Sequence, residues 1–223
     1  MRRSAITLES EISDTERNAL FAVMKNLSLK GTHLEIGTAA GGTLCEIYNF
    51  YKSSDREIPN FWVVDPMQYF PDQLDIVKKN LISHGVNLAS VRFLESLSSI
   101  AIKKAFIENP VFDFILIDGS HKRNYVTQDL IWTRFLKKGG ILCAHDYSSR
   151  FPGVQKSIDL FLKKYKNYKL ISVTESLIVI RKMDTTKSSE ITNMMMITAA
   201  VDGFIHQIRS SINKRVSTKN SHT

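Results

Sequence analysis

His33-Leu-Glu-Ile-Gly-Thr-Ala-Ala-Gly-Gly-Thr-Leu44 decides the fold: a short apolar run carrying Glu35 passes through Gly37, Gly41 and Gly42 into a helix-like pattern. Glycine lets the backbone bend sharply and lets a ligand approach where a Cβ would stand. A strand, a glycine loop and a helix in that order form the nucleotide-binding corner of a doubly wound α/β sheet. The spacing narrows the ligand. A dinucleotide fingerprint needs G-x-G-x-x-G, with the second glycine against a pyrophosphate. Here Ala39 stands at that second position. The loop therefore suits a nucleoside cofactor with no phosphate to cradle.

Outward from this stretch, the pattern alternates. An amphipathic helix is expected upstream over 13–26, with Leu20, Val23, Met24 and Leu27 on one face and Ser13 or Asp14 as its cap. Strands are expected at 33–36, 61–64, 91–94, 112–117 and 141–144. Helices are expected after the glycine loop, over 73–83, ending near Glu108, over 124–138 with Gly139-Gly140 as the stop, and over 154–165. Strands at 169–173 and 177–181 close the domain. Strands alternating with helices specify a largely parallel sheet. The short link at 174–176 makes the last pair antiparallel, because a parallel return needs a long crossover. The expectation is a doubly wound, mostly parallel seven-stranded α/β sheet over 1–182. A linker, an amphipathic helix and a flexible tail are expected over 183–223.

The 223 residues are 43% hydrophobic and 23% charged, enough for one sizeable core. Cys45 and Cys143 lie in apolar segments without metal-like or redox-like spacing, which suggests buried, reduced thiols and a cytoplasmic setting. The first ten residues lack the apolar core of a secretory signal, and no run approaches the roughly 20 apolar residues of a membrane span. The formal charge of +8 is spread over lysine pairs late in helical segments, such as Lys78-Lys79 and Lys163-Lys164. Cations there complement helix dipoles. No aromatic-basic stacking platform interleaves with them, so no nucleic-acid partner is expected.

Ligands of open α/β sheets bind at the carboxyl ends of the strands. Those ends carry Glu35, Asp65, Asp118 and His145-Asp146, with His121 three residues past Asp118. Asp65, ending the second strand, is placed to accept the two hydroxyl hydrogens of a ribose. Asp118 and Asp146 are hard oxygen ligands suited to Mg²⁺.

Several stretches carry a resemblance: Phe-Asp-Phe-Ile-Leu-Ile-Asp-Gly-Ser-His at 112–121, Asp129-Leu130, Leu-Lys-Lys-Gly-Gly at 136–140, His145-Asp146-Tyr147, and Phe-Pro-Gly-Val at 151–154. With the glycine loop and Val-Val-Asp-Pro at 63–66, they span about residues 31 to 182. The chain resembles class I S-adenosylmethionine (SAM)-dependent methyltransferases, and within them the sugar O-methyltransferases of macrolide and glycan modification. The resemblance implies a Rossmann-like fold and SAM as cofactor. It assigns the methionine part of SAM to Glu35 and the backbone of Gly37, Gly41 and Gly42, and the ribose to Asp65. The adenine falls to Met67 and to Ser96-Leu97-Ser98, with Asp118 also counted in the cofactor site. Relatives often carry an acid where Leu97 stands, which here would leave a backbone contact only. In metal-dependent relatives the histidine three residues past the fourth-strand Asp is the base. That is His121, with Asp118 beside it. A pair after strand five completes the metal site, here His145 and Asp146 with Asp118, and His145 is a departure from the acidic or amide residue usual there.

The implied reaction is methyl transfer to a hydroxyl of a sugar or glycoconjugate acceptor, with His121 as general base and a divalent cation such as Mg²⁺ as an optional aid. Transfer to a phenol or nitrogen of a small molecule is the alternative, as is a non-catalytic SAM-binding subunit. Two readings of 191–212 stay open. Its Met and Ile spacing suits a helix packed on the domain or on a second copy in a homo-oligomer. The following Arg209, Lys214, Arg215 and Lys219 suit a membrane-surface helix.

Overall fold

The structure, a computed structural model, describes residues 12–26 and 31–183; the helix expected at 191–212 and the tail beyond it lie outside these residues. The elements run α1 (Asp14–Asn26), β1 (Thr32–Ile36), α2 (Gly42–Ser53), β2 (Phe61–Val64), α3 (Gln73–Ser83), β3 (Val91–Leu94), α4 (Ser98–Glu108), β4 (Phe112–Ile117), α5 (Arg123–Asp129), β5 (Leu136–Ala144), α6 (Pro152–Lys164), β6 (Tyr168–Thr174) and β7 (Leu177–Lys182).

The strands form one seven-stranded sheet in the order β3-β2-β1-β4-β5-β7-β6. The first five pair in parallel, and β7 is antiparallel to both β5 and β6. Successive side chains of a strand point to opposite faces, so two cores form. Leu34, Ile36, Ile115, Ile117, Leu142 and Ala144 pack with α4, α5 and α6 on one face. Val63, Phe114, Leu116 and Cys143 pack with α1, α2 and α3 on the other. Both cysteines are buried and free, as their apolar surroundings suggest. Chain order reverses between β1 and β4, which is where such a sheet opens a crevice at the carboxyl ends.

At the opposite end of β1 a buried polar network locks it to β4. Asp113 faces His33 Nδ1 at 3.2 Å and Lys137 Nζ at 3.1 Å, and it accepts the Gly31 N–H. His33 Nε2 lies 2.7 Å from the Tyr51 hydroxyl.

One element differs from expectation. The helix expected over 124–138 ends at Asp129, continues as a 3₁₀ turn over Leu130–Phe135, and gives way to a strand at Leu136. Leu136 pairs with Phe112 of β4, so the glycine pair lies inside β5 rather than capping a helix. The register of β4 against β5 shifts between Phe112 and Phe114, and Gly139 takes a φ of 77°, a bulge only glycine makes cheaply. The carbonyls at the end of the 3₁₀ turn find distant donors. Lys182 Nζ reaches Leu136 O at 2.6 Å, Thr133 O at 3.1 Å and Arg134 O at 3.3 Å, and the Tyr168 hydroxyl donates to Thr133 O at 3.0 Å. Those donors come from β6 and β7, beyond the reach of any local pattern.

Candidate active site

The glycine loop is held by its own side chains. Thr38 donates its hydroxyl to Glu35 at 2.7 Å and its backbone N–H to Asp65 at 3.0 Å, joining the ends of β1 and β2. Asp65 also accepts the Met67 N–H at 2.6 Å, and Gln73 Nε2 lies 3.4 Å away while donating to Ala39 O at 3.0 Å. Gln73 is 1% exposed, and neither it nor Thr38 carries a motif that marks it in sequence. Ala39, Met67 and Asp146 have left-handed backbones, with φ of 43°, 54° and 61°. Sparsely populated backbone states of this kind concentrate at functional sites.

A cleft of about 560 Å³ opens at the carboxyl ends of β1, β2 and β4. Gly37, Thr38 and Ala39 line it from the first loop, Asp65, Pro66, Gln68 and Tyr69 from the second, Leu97 and Ser98 from the third. Asp118 to Lys122 line it from the fourth, with Tyr125 and Asp129 on α5. Of the residues expected around a cofactor, Gly37, Asp65, Leu97 and Asp118 thus face one space. Gly41 and Gly42 do not line it; they start α2, with Gly41 in a left-handed N-cap. Met67 packs against the core on the α1–α3 face, and Ser96 lies outside the lining. Glu35 is 5% exposed and reaches the cleft through Thr38.

Burial dominates the electrostatics here. It pushes the Glu35 carboxyl up to about 8, against the Thr38 hydrogen bond and with help from Asp118 and Asp65. It raises Asp65 less far, because the Met67 and Thr38 N–H groups favour the ionised form. Asp129, 3% exposed, is pushed to about 7. In the sequence Asp129 is marked only by its place in the Asp129-Leu130 pair.

A second cluster adjoins the cleft through Asp118 and His121. His121 Nε2 lies 2.5 Å from Asp146 Oδ2, and its ring packs on Phe151 with centroids 4.3 Å apart. Gly153, at the start of α6, lets the His121 carbonyl come close: a Cβ there would run into that oxygen and sit 2.9 Å from the Arg123 nitrogen. His145 is buried between carboxylates. Its Nδ1 lies 3.2 Å from Asp118 Oδ1 and 3.7 Å from Asp146 Oδ2, and its Nε2 lies 3.2 Å from Glu16 Oε2 on α1. Burial alone would lower the His145 pKa; the Asp118 hydrogen bond and the charges of Asp118, Asp146 and Glu16 instead hold it up at about 9.

Asp118, His145 and Asp146 each offer a ligand atom, all within 4.8 Å of one another. The donor set is one imidazole nitrogen and two carboxylates. The 3.2 Å between Nδ1 and Oδ1 is close to the roughly 3 Å edge expected between adjacent ligands with bonds of about 2.0–2.2 Å. The residues fit a divalent cation, which would compete with a proton for the Nδ1 lone pair.

A family profile described as a methyltransferase domain matches residues 34–147, just over half of the chain. A sequence search of curated proteins gives no match. Among solved structures the chain is similar to the O-methyltransferase NovP, with TM-score 0.60 and 18% identity over 75% of this chain and 78% of that one. It is also similar to CalS11, a TDP-rhamnose 3′-O-methyltransferase of calicheamicin biosynthesis, with TM-score 0.62 and 16% identity over 75% and 78%. An O-methyltransferase from Bacillus cereus in complex with S-adenosylhomocysteine (SAH) aligns with TM-score 0.61 and 14% identity over 82% and 92%. At these identities the neighbours establish the fold, and the profile match establishes the family. The chain belongs to the methyltransferase-domain family and is a SAM-dependent methyltransferase.

Proposed function

We propose that the protein transfers the SAM methyl group to a hydroxyl of a sugar or glycoconjugate, with His121 as general base. The observation that carries this reading is the His121–Asp146 contact at the rim of the cleft that Gly37 and Asp65 also line. The neighbours named as sugar and other O-methyltransferases support the acceptor class. In this reading Glu35 and the Gly37 loop hold the methionine end, Asp65 the ribose, and Leu97-Ser98 the adenine edge.

Displacement at a sulfonium methyl needs the nucleophile in line, so positioning supplies much of the acceleration. An alcohol must also lose its proton. Asp146 occupies the Nε2 side of His121, so the acceptor proton goes to Nδ1, and the Asp146 carboxylate balances the imidazolium that forms. Asp118, His145 and Asp146 would hold a divalent cation, which when bound lowers the pKa of an acceptor hydroxyl.

Incubation with SAM and a panel of hydroxylated glycans, read by intact mass for the gain of one methyl in place of hydrogen, tests the proposal. Methylation confined to phenols or amines would replace the acceptor class, and SAM binding without turnover on any acceptor would favour a non-catalytic subunit. Asp65→Ala in a folded variant is expected to weaken SAM binding by about 1–3 kcal/mol, because two ribose hydroxyls lose their acceptor. Unchanged affinity by calorimetry would remove Asp65 from the site.

A further inference from the structure

Glu16 lies on α1, far in sequence from the strand ends, yet it is 2% exposed and its carboxylate reaches His145. Its Oε1 accepts the Ser176 N–H at 2.9 Å and the Ser176 hydroxyl at 2.7 Å, from the turn between β6 and β7. Its Oε2 accepts the Ser13 N–H at 3.0 Å and faces His145 Nε2 at 3.2 Å. The Glu16 N–H in turn donates to Ser13 Oγ at 3.2 Å, completing a capping box. A capping box needs only the Ser13 contacts and is ordinarily built on the surface. Here the same carboxylate is drawn inward, with both oxygens engaged by a turn and a histidine from the other end of the chain.

The consequence falls on His145. A neutral imidazole carries one N–H and one lone pair, and the partner of one nitrogen decides which is which. Ionised carboxylates only accept, and Glu16 faces Nε2 as Asp118 faces Nδ1, each at 3.2 Å, so the free ring carries a proton on both nitrogens. A cation held with Asp118 and Asp146 displaces the Nδ1 proton, and Glu16 keeps the one on Nε2. The Nδ1 lone pair then points toward Asp118 Oδ1 and Asp146 Oδ2, at 3.2 and 3.7 Å. Ligating histidines are commonly oriented in this way by a carboxylate on their other nitrogen. A nitrogen in the donor set also favours borderline first-row cations over Mg²⁺, which prefers oxygen ligands and retained water.

We propose that Glu16 is a positioning residue for the metal site: by holding the His145 proton on Nε2 it presents Nδ1, with Asp118 and Asp146, to a cation of the Co²⁺–Zn²⁺ kind rather than to Mg²⁺. This rests on the cation reading given above for the same three residues.

Co²⁺ titrated into the SAH-saturated full-length protein, followed by its visible absorption, tests the proposal. The wild type is expected to take up Co²⁺ and to retain it against a large excess of Mg²⁺. Glu16→Ala is expected to bind Co²⁺ about 10- to 100-fold more weakly. The isosteric Glu16→Gln keeps the shape of the side chain but has one accepting oxygen where two are used, and the same loss is expected. SAM affinity, measured on the same variants before SAH is added, stays within a few-fold of wild type. Equal Co²⁺ affinity in wild type and Glu16→Gln would overturn the proposal, as would a wild type that takes no Co²⁺ or yields it to Mg²⁺. Should the variants fail to fold, ring ¹⁵N shifts of the Zn²⁺-loaded wild type decide. An Nε2-protonated, Nδ1-bound His145 supports the assignment, and the opposite tautomer overturns it. Loss of SAM binding by the wild type itself would count against the methyltransferase site and not against Glu16.

Discussion

Two glycines show how single residues set the site. Gly37 has a φ of 84°, and a Cβ on it would collide with the Asp118 carbonyl and sit 2.6 Å from the Gly119 Cα. The loops after β1 and β4 thus meet backbone to backbone at this point, and Gly37→Ala is expected both to lower the melting temperature and to abolish SAM binding. Gly153 plays the matching part beside His121, where an added Cβ meets a carbonyl oxygen. Gly153→Ala should displace the His121 loop, lowering kcat while leaving SAM affinity within a few-fold, as steady-state kinetics and calorimetry would show. Direct removal of the base, His121→Ala, is expected to cost about 10²–10⁴ in kcat on the acceptor. A wild-type kcat across pH 6–8 would remove His121 from the mechanism. Gly37 was legible from its place after an apolar strand. Gly153 was legible only as a motif letter, because its neighbour His121 is thirty-two residues earlier.

At the scale of the element, the instructive segment is 123–144. Periodicity over Val126, Leu130 and Trp132 correctly marks residues that are buried against the sheet. It cannot show that α5 stops at Asp129, because the groups that satisfy the following turn are Lys182 and Tyr168. Lys182 is 6% exposed and donates to three carbonyls. Lys182→Met, similar in length but unable to donate, leaves those carbonyls short of partners. A loss of about 1–3 kcal/mol is expected from urea unfolding, with SAM affinity kept in the folded fraction. The parallel strands at 61–64, 91–94 and 112–117 were legible to the residue, since each is a short, mostly apolar segment, broken only by Arg92 and Asp113, and closed by a turn.

For the whole molecule, two buried carboxyls at opposite ends of the sheet shape stability against pH. Asp113 is held below its ordinary value: burial opposes this, but His33, the Gly31 N–H and Lys137 outweigh it. A depressed folded pKa means its contribution is present above the unfolded value of 3.8 and lost as pH falls through the folded one. Glu35 behaves oppositely. Its folded pKa of about 8 lies above the unfolded 4.5, so the stability it confers is present below 4.5 and lost as pH rises through 8. Unfolding of the cofactor-free protein should therefore show stability declining from about pH 5 to 8. Asp129, raised to about 7, and His145, raised to about 9, add to the same decline, and Glu35→Gln should make that limb shallower. Asp113→Asn should leave the limb in place while lowering stability at neutral pH. A profile unchanged by Glu35→Gln would show that the carboxyl is not isolated from water. Among the described residues no helix is long and apolar enough to cross a membrane.

The sequence by itself determined the sheet, its glycine corner and the acids at its strand ends. These rest on short-range regularities: alternation of strand and helix, the backbone freedom of glycine, and the rule that ligands meet parallel strands at their carboxyl ends. Tertiary structure alone decided which groups converge. Thr38 ties Glu35 to Asp65, Phe151 backs His121, and Glu16 closes on His145 across 129 residues of chain. None of these pairings has a spacing that repeats. Each arises because the packed sheet brings loops from distant strands to one edge, where a buried polar group must find whatever partner the fold supplies.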